Sequence, residues 1–253
     1  MQGLEILDVI PANLGAAGLF CCMSQPESEM YQQKLSWMKG RFSEGLRYKK
    51  IVRGGRGFIE YIPGEFAWRG IHAPRYMVIH CLWVVGKSKG RGCGKALLDL
   101  CIQEAKREGM DGVAVVAARN QLGLPDTKFF LKHGFTVVDT APPDLELAAL
   151  KFRRATGPKF LGEWDKKLHL HGPDLKVVYS AQCPFAKGLV DNLASVAKSQ
   201  RLALKKQQLR TLAEVRTEAP SAYATFAITC RERVVSHLYH RMTANRLRRL
   251  MKT

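Results

Sequence analysis

Three glycines set one residue apart, in Lys89-Gly90-Arg91-Gly92-Cys93-Gly94-Lys95, form the first stretch whose residue types and spacing could do chemistry. Glycine permits a tight turn and lets a ligand come close to the backbone. Such a turn opening a helix offers unpaired N–H groups and the positive end of the helix dipole, which suits a phosphate. No Gly-Lys-Ser/Thr ends the stretch, so it is not a Walker A loop, and Gly-x-Gly-x-x-Gly is absent as well. A second candidate is Cys183, which stands before Pro184 at the expected start of a helix. A thiol there gains thiolate character from the same dipole.

The elements that must position these groups follow from hydrophobic periodicity. Met77 to Val85 is an apolar run closed by Gly86, a buried strand; Ala96, Leu97, Leu100, Cys101 and Ala105 make the apolar side of the helix after the loop. Upstream, Leu4–Ile10 predicts a strand, followed by a helix through Phe20-Cys21-Cys22 and a long amphipathic helix within Pro26–Leu46. Arg47–Val52 and Gly57–Ile62 predict a hairpin. Downstream, strand Gly112–Ala118, helix Asp126–His133 and strands Phe135–Asp139 and Leu145–Phe152 complete an α/β order with a mixed sheet. Residues 154–173, with Gly157-Pro158 and Gly172-Pro173, lack periodicity and are expected to be a linker. A second module follows: strand Lys176–Ser180, a helix from the Cys183-Pro184 turn through Lys198, a basic stretch, strands Ala224–Cys230 and Val234–His237, and a terminal helix from Thr243.

Gly90-x-Gly92-x-Gly94-x-Ala-Leu-Leu resembles the pyrophosphate loop of the GNAT N-acetyltransferases, and Phe129-Phe130-Leu131-Lys132-His133-Gly134-Phe135 resembles their second signature. Lys89 stands where that family usually has Gln or Arg, and Phe130 stands where it often has a catalytic tyrosine. The Cys-Pro turn, with Pro220 as a candidate cis-proline facing Cys183, resembles a small thioredoxin-like domain. Nearly the whole chain resembles the YoaP-like GNAT proteins, through residues 57–69, 77–86, 180–185 and 219–226. The resemblance implies a GNAT mixed β-sheet domain at 1–153, a linker at 154–173 and a thioredoxin-like α/β domain at 174–253.

It also implies transfer of an acetyl group from acetyl-CoA to an amine by direct attack in a ternary complex. The N–H groups from Lys89 to Lys95 (Gly90, Arg91, Gly92, Cys93 and Gly94 between them) would hold the pyrophosphate. A strand N–H at Leu82, Trp83 or Val84 would stabilise the oxyanion. Glu60 and His80 are the candidates for the base that neutralises the amine. The missing tyrosine matters little, because a thiol with a pKa of about 8.5 can leave as thiolate. Ala186 occupies the place of a resolving cysteine, which excludes a dithiol cycle within the motif and leaves Cys183 as a monothiol, a docking surface or scaffold.

Composition bounds the rest. The chain of 253 residues carries a net charge of +18, with 21 Lys and Arg against 7 Asp and Glu in residues 151–253. Such a basic half leaves nucleic-acid contact open, but no base-reading motif accompanies it and a solvated basic surface is preferred. Seven scattered cysteines fit a reducing compartment, and neither a signal peptide nor a bilayer-length apolar run is visible, so the cytoplasm is expected and no membrane. No spacing of His and Cys predicts a metal site. The alternative to the enzyme is a thiol-redox or binding protein whose first domain only senses acyl-CoA.

Overall fold

The computed structural model describes residues 3–21, 25–121, 123–237 and 240–252. The chain begins with β1 (Glu5–Val9), α1 (Leu14–Ala17), α2 (Glu29–Arg41), β2 (Arg47–Arg53), β3 (Gly57–Pro63), β4 (Ile71–His72) and β5 (Tyr76–Val84). It continues through α3 (Cys93–Arg107), β6 (Gly112–Ala117), α4 (Thr127–Lys132), β7 (Thr136–Ala141) and β8 (Leu145–Lys151). Seven of these strands form one mixed sheet in the order β1-β2-β3-β5-β6-β8-β7. Only β5 and β6 run parallel, and they pair from Tyr76–Ile79 against Gly112–Val115. Beyond Ile79, β5 stays paired to β3 as far as Val84 while β6 follows β8. The sheet therefore splits between its two central strands.

The helix expected through Cys22 is only α1, and Cys22 lies outside the described residues. Gly18 ends it with φ 61°. The backbone then leaves the helix so that Leu19 and Phe20 donate their N–H groups to the Tyr31 and Tyr48 hydroxyls, both at 2.9 Å. The following helix is shorter than Pro26–Leu46: Ser28 caps α2, and Gly45 in the left-handed region turns the chain into β2.

After β8 come β9 (Lys159–Phe160), α5 (Trp164–His169), β10 (Lys176–Ser180), α6 (Pro184–Ser199), β11 (Lys205–Leu209), α7 (Leu212–Glu218), β12 (Phe226–Cys230), β13 (Arg233–Ser236) and α8 (Ala244–Lys252). The stretch expected as linker is thus ordered: β9 pairs with β4, and α5 follows it. The second sheet has the order β11-β10-β12-β13, with β10 and β11 parallel and the other pairs antiparallel. β11, read from sequence only as basic stretch, is an edge strand whose Lys-Lys-Gln-Gln lacks any apolar alternation.

Alternation along the strands divides the large sheet into two faces. Ile59, Tyr61, Met77 and Ile79 pack under Leu97, Leu98 and Cys101 of α3. Phe58, Ile62 and Val78 face the other way, onto Trp37 and Met38 of α2. That second core does not stop at residue 153. It runs on through Val178, Leu209, Val215, Ala222 and Tyr223, so one face of the small sheet closes one face of the large one. The other face of the small sheet is covered by α6 and α8 through Val190, Leu193 and Leu247. No helix among the described residues is long and apolar enough to cross a membrane.

A shared apolar core couples the two halves energetically. The full chain is expected to unfold in a single cooperative thermal transition. Two resolved calorimetric peaks, one for each half, would show that the interface contributes little.

Candidate active site

A break in strand register aims the site. On β3 and β5, Glu60 is opposite Cys81 but Tyr61 is opposite Ile79, so His80 is the extra residue of a bulge. The bulge places His80 and Cys81 on the same face as Glu60, toward the second half of the chain. Glu60 and His80 are 1% and 0% exposed.

The Glu60 carboxylate has three partners. Its Oε2 accepts from Lys34 Nζ of α2 at 2.5 Å. Its Oε1 lies 3.2 Å from His80 Nδ1 and 3.2 Å from Gln182 Nε2, the donor from the second half. His80 Nε2 accepts the Trp68 N–H at 3.0 Å, which puts the ring proton on Nδ1, donating to Glu60. Arg69 is also fully buried: it donates to the carbonyls of Trp68 and His80 and to Gln182 Oε1, and its guanidinium stacks on Tyr223.

These partners fix the charges. Burial alone would raise the Glu60 carboxyl, but the Lys34 ammonium and the His80 bond outweigh it and hold it at about 2. Burial, aided by Arg69, pushes the His80 imidazole down to about 4 against the pull of Glu60. At neutral pH the cluster is therefore Lys34⁺, Glu60⁻, neutral His80 and Arg69⁺, one net positive charge.

A cavity of about 40 Å³ adjoins the cluster, lined by Lys34, Glu60, His80, Gln182, Tyr223 and Thr225 among others. It is wide enough for a water. Cys21, Cys81, Gly123 and Cys183 line both this cavity and a larger cleft of about 1070 Å³. Leu82, Trp83 and Val84 from the free part of β5, with Lys89 and Phe129, line one side of that cleft; Phe185, Gly188 and Leu189 of α6 line the other.

From Lys89 the chain passes into the glycine loop. Gly90 and Gly92 have φ of 73° and 79°, with nothing within 4 Å of an added Cβ. Gly94 instead sits close under a side chain: a Cβ there would lie 3.2 Å from the Phe129 ring, which would have to give by a few tenths of an ångström. The first backbone bond of α3 runs from Ala96 N–H to the Gly92 carbonyl, so the Cys93, Gly94 and Lys95 N–H groups have no partner within the helix. The Cys93 side chain is buried, facing the hairpin at Gly55, and the Lys95 ammonium pairs with Asp99 at 2.5 Å. Both residues face the loop through their backbone.

The structure thus brings Glu60 and His80 together, puts Leu82 to Val84 and Lys89 along the cleft, and keeps Gly90 to Lys95 beyond its lining. Pro220 does not join Cys183 in either lining. Its peptide bond is not cis: Pro220 follows the Ala219 C-cap of α7, and five residues separate it from β12. As a helix stop it has no need of the cis form. Tyr61 lies on the opposite face of the sheet and donates to Glu104 at 2.6 Å. Sequence reasoning missed Lys34, Gln182 and Tyr223. Only Lys34 left a trace: it sits three residues after Tyr31 and three before Trp37, on the buried stripe of α2, where a charge requires a buried partner.

A family model described as "Acetyltransferase (GNAT) family" matches residues 21–135. Over 250 residues, 98% of both chains, the sequence is 33% identical to a Bacillus subtilis (strain 168) protein named "Uncharacterized N-acetyltransferase YoaP". The chain belongs to the GNAT acetyltransferase family. Solved structures similar to this chain include Salmonella typhimurium yncA with its cofactor acetyl-CoA, at 20% identity, TM-score 0.44, covering 62% of this chain and 98% of that one. Another is the Thermoplasma acidophilum paia N-acetyltransferase in complex with coenzyme A, at 18% identity, TM-score 0.40, covering 60% and 100%. The GNAT family model covers β2 to β6, where the sheet splits, and the glycine loop, whereas the relationship to YoaP extends through Gln182 and Tyr223.

The cluster makes a pH prediction. Both folded-state values lie below their ordinary ones: about 4 against 6.5 for His80, about 2 against 4.5 for Glu60. The unfolded chain then binds more protons as pH falls, so stability present at neutral pH is lost first through the His80 window and then through that of Glu60. The melting temperature should fall continuously from pH 7 to pH 4, and His80→Gln should flatten the upper part of that fall. A melting temperature unchanged between pH 7 and pH 4 would contradict the assigned charges.

Proposed function

We propose that the protein is an acetyl-CoA-dependent N-acetyltransferase in which an amine attacks the thioester directly, in a ternary complex. The observation that carries this reading is the cleft that runs from Lys89, at the head of the α3 loop, past the part of β5 that has parted from β6, and shares four lining residues with the small charged cavity. The N–H groups at the start of α3 suit the pyrophosphate of the donor. N–H groups of β5 near Leu82 to Val84, released from β6 by the split, suit the oxyanion of the tetrahedral intermediate.

The amine enters the small cavity and loses its proton there. Glu60 is a weak base at about 2, and both nitrogens of His80 are engaged. We therefore assign both to positioning: they fix the bulge and the electrostatics of the cavity wall, and a water in the cavity carries the proton away. Phe130 lines the cleft as an apolar wall, and the CoA thiolate takes its proton from solvent.

The reading extends to organisation. Residues 1–153 are the acetyltransferase domain, 154–173 an ordered connection and 174–253 a thioredoxin-like domain. The β-α-β-α-β-β-α order and the strand order β11-β10-β12-β13 support the last assignment. With Ala186 in place of a second cysteine, that domain serves the acetyl transfer and not dithiol exchange. The cytoplasm suits an enzyme that draws on acetyl-CoA, and the excess of Lys and Arg in residues 151–253 is read as a solvated basic surface.

Gly92→Asp tests the donor site. It forces a side chain into a left-handed residue and sets a carboxylate beside the pyrophosphate, so acetyl-CoA affinity should fall by about tenfold or more. Calorimetry on the folded variant showing unchanged affinity would place the donor elsewhere.

A further inference from the structure

Lys34 and Glu60 form an ion pair that is 4% and 1% exposed, and both residues line the small cavity. Their bonding is uneven. Glu60 Oε1 takes the His80 and Gln182 groups, whereas Oε2 is bonded to Lys34 at 2.5 Å and to no other described residue. Lys34 Nζ carries three donors. One goes to Glu60, and the ammonium stands over the Trp37 ring, 4.1 Å from its centroid. Each end of the pair thus keeps bonding capacity, at neighbouring atoms in one cavity wall. A second ion pair laid alongside in the opposite sense would use both ends. The charge balance points the same way. Arg69, buried beside the pair, is met by neutral oxygens, which leaves the cluster one net positive charge. A plain alkylammonium would bury another cation there, whereas a zwitterion adds no net charge and offers its carboxylate to the excess.

We propose that the acetyl acceptor is an α-amino carboxylate, with its carboxylate on Lys34 Nζ and its amine on Glu60 Oε2. The inference rests on the acetyl-CoA reading and deepens it by naming the acceptor class. The size of the cavity agrees: about 40 Å³ is room for roughly three water-sized groups, as an amine, one carbon and a carboxylate require. The remainder of the acceptor lies outside, in the cleft. Glu60 stands opposite Cys81 in the strand pairing, and Cys81 lines both cavity and cleft, so the amine is held toward the shared wall. The ammonium gives one proton to water, which the neighbouring cations favour. The amine nitrogen then attacks the thioester carbon; the C–N bond forms, the C–S bond breaks, and CoA leaves as a thiolate that takes a proton from solvent. The nitrogen loses its second proton to water, and the products are an N-acetylamino carboxylate and CoA.

The experiment offers the full chain acetyl-CoA with each common α-amino acid, with the corresponding amides, and with ethylamine and putrescine, and follows the release of CoA thiol. Acetyl-CoA binding is measured by calorimetry on the same preparation. At least one amino acid should be acetylated, with kcat/KM about tenfold or more above that of its own amide. In Lys34→Met, with folding checked by circular dichroism, that preference should collapse. The comparison of acid with amide on the unaltered chain decides the matter even where the variant does not fold. Acetyl-CoA that binds while no amino acid is acetylated overturns this inference and leaves the N-acetyltransferase reading standing. So does an amide or a plain amine that serves as well as the acid, or a folded Lys34→Met that keeps the preference. Acetyl-CoA that fails to bind overturns both.

Discussion

A single carboxylate holds the architecture together. Glu60 sits inside a sheet, where an unpaired charge costs several kcal/mol, roughly, even after relaxation. It persists because α2 supplies Lys34, β5 supplies His80 and the second half of the chain supplies Gln182. Those three partners come from three separate elements, so satisfying one charge fixes the relative positions of all of them. Arg69 repeats the arrangement in reverse: a buried cation held by two carbonyls of the first half and an amide oxygen of the second. The polar cluster sits against an apolar core that crosses the same boundary. The apolar contacts supply most of the stabilisation; the polar contacts make it specific to one arrangement.

The donor side obeys a different constraint. A parallel strand pair that stops after four residues leaves backbone groups of β5 without a sheet partner on that side. Leu82 and Val84 are half-buried and Trp83 is exposed, so backbone groups there are free to meet water or a ligand. They border the cleft, and the helix after it begins in a loop whose glycines differ in purpose. Gly90 and Gly92 serve conformation, whereas Gly94 lets α3 approach the Phe129 ring. The GNAT signature thus unites two requirements, a left-handed turn and a close helix approach, in one short stretch.

Much of this was legible in the sequence, for identifiable reasons. β5, the loop and α3 carry strong periodicity and sharp glycine punctuation; β5 agrees with the prediction within a residue, while α3 begins at Cys93, three residues earlier and inside the glycine loop. Glu60 and His80 could be named because polar groups inside apolar strands demand a reason. What they do there could not be read, since the answer depends on Lys34, Trp68 and Gln182, which approach from afar. The bulge at His80 left no local sign. β11 and α7 escaped notice because an edge strand of lysine and glutamine and a seven-residue helix follow neither template. Pro220 misled for a related reason: its neighbourhood resembles a motif, while its place is set by the end of α7.

The contact between α2 and α6 also limits how anything reaches the cleft. Gly188 lies so near Met30 that a Cβ would come within 2.8 Å of its sulfur, and Lys187 pairs with Glu29 at 2.9 Å. The Phe185 ring meets Trp83 edge-on, with centroids 6.0 Å apart. These contacts fall together at the start of α6, so it is the end of the wall nearest Cys183 that is fixed against the first half of the chain. A wall held this way keeps the gap between α6 and β5 at a set width there, and whatever passes from the cleft towards the small cavity must fit that gap as it stands.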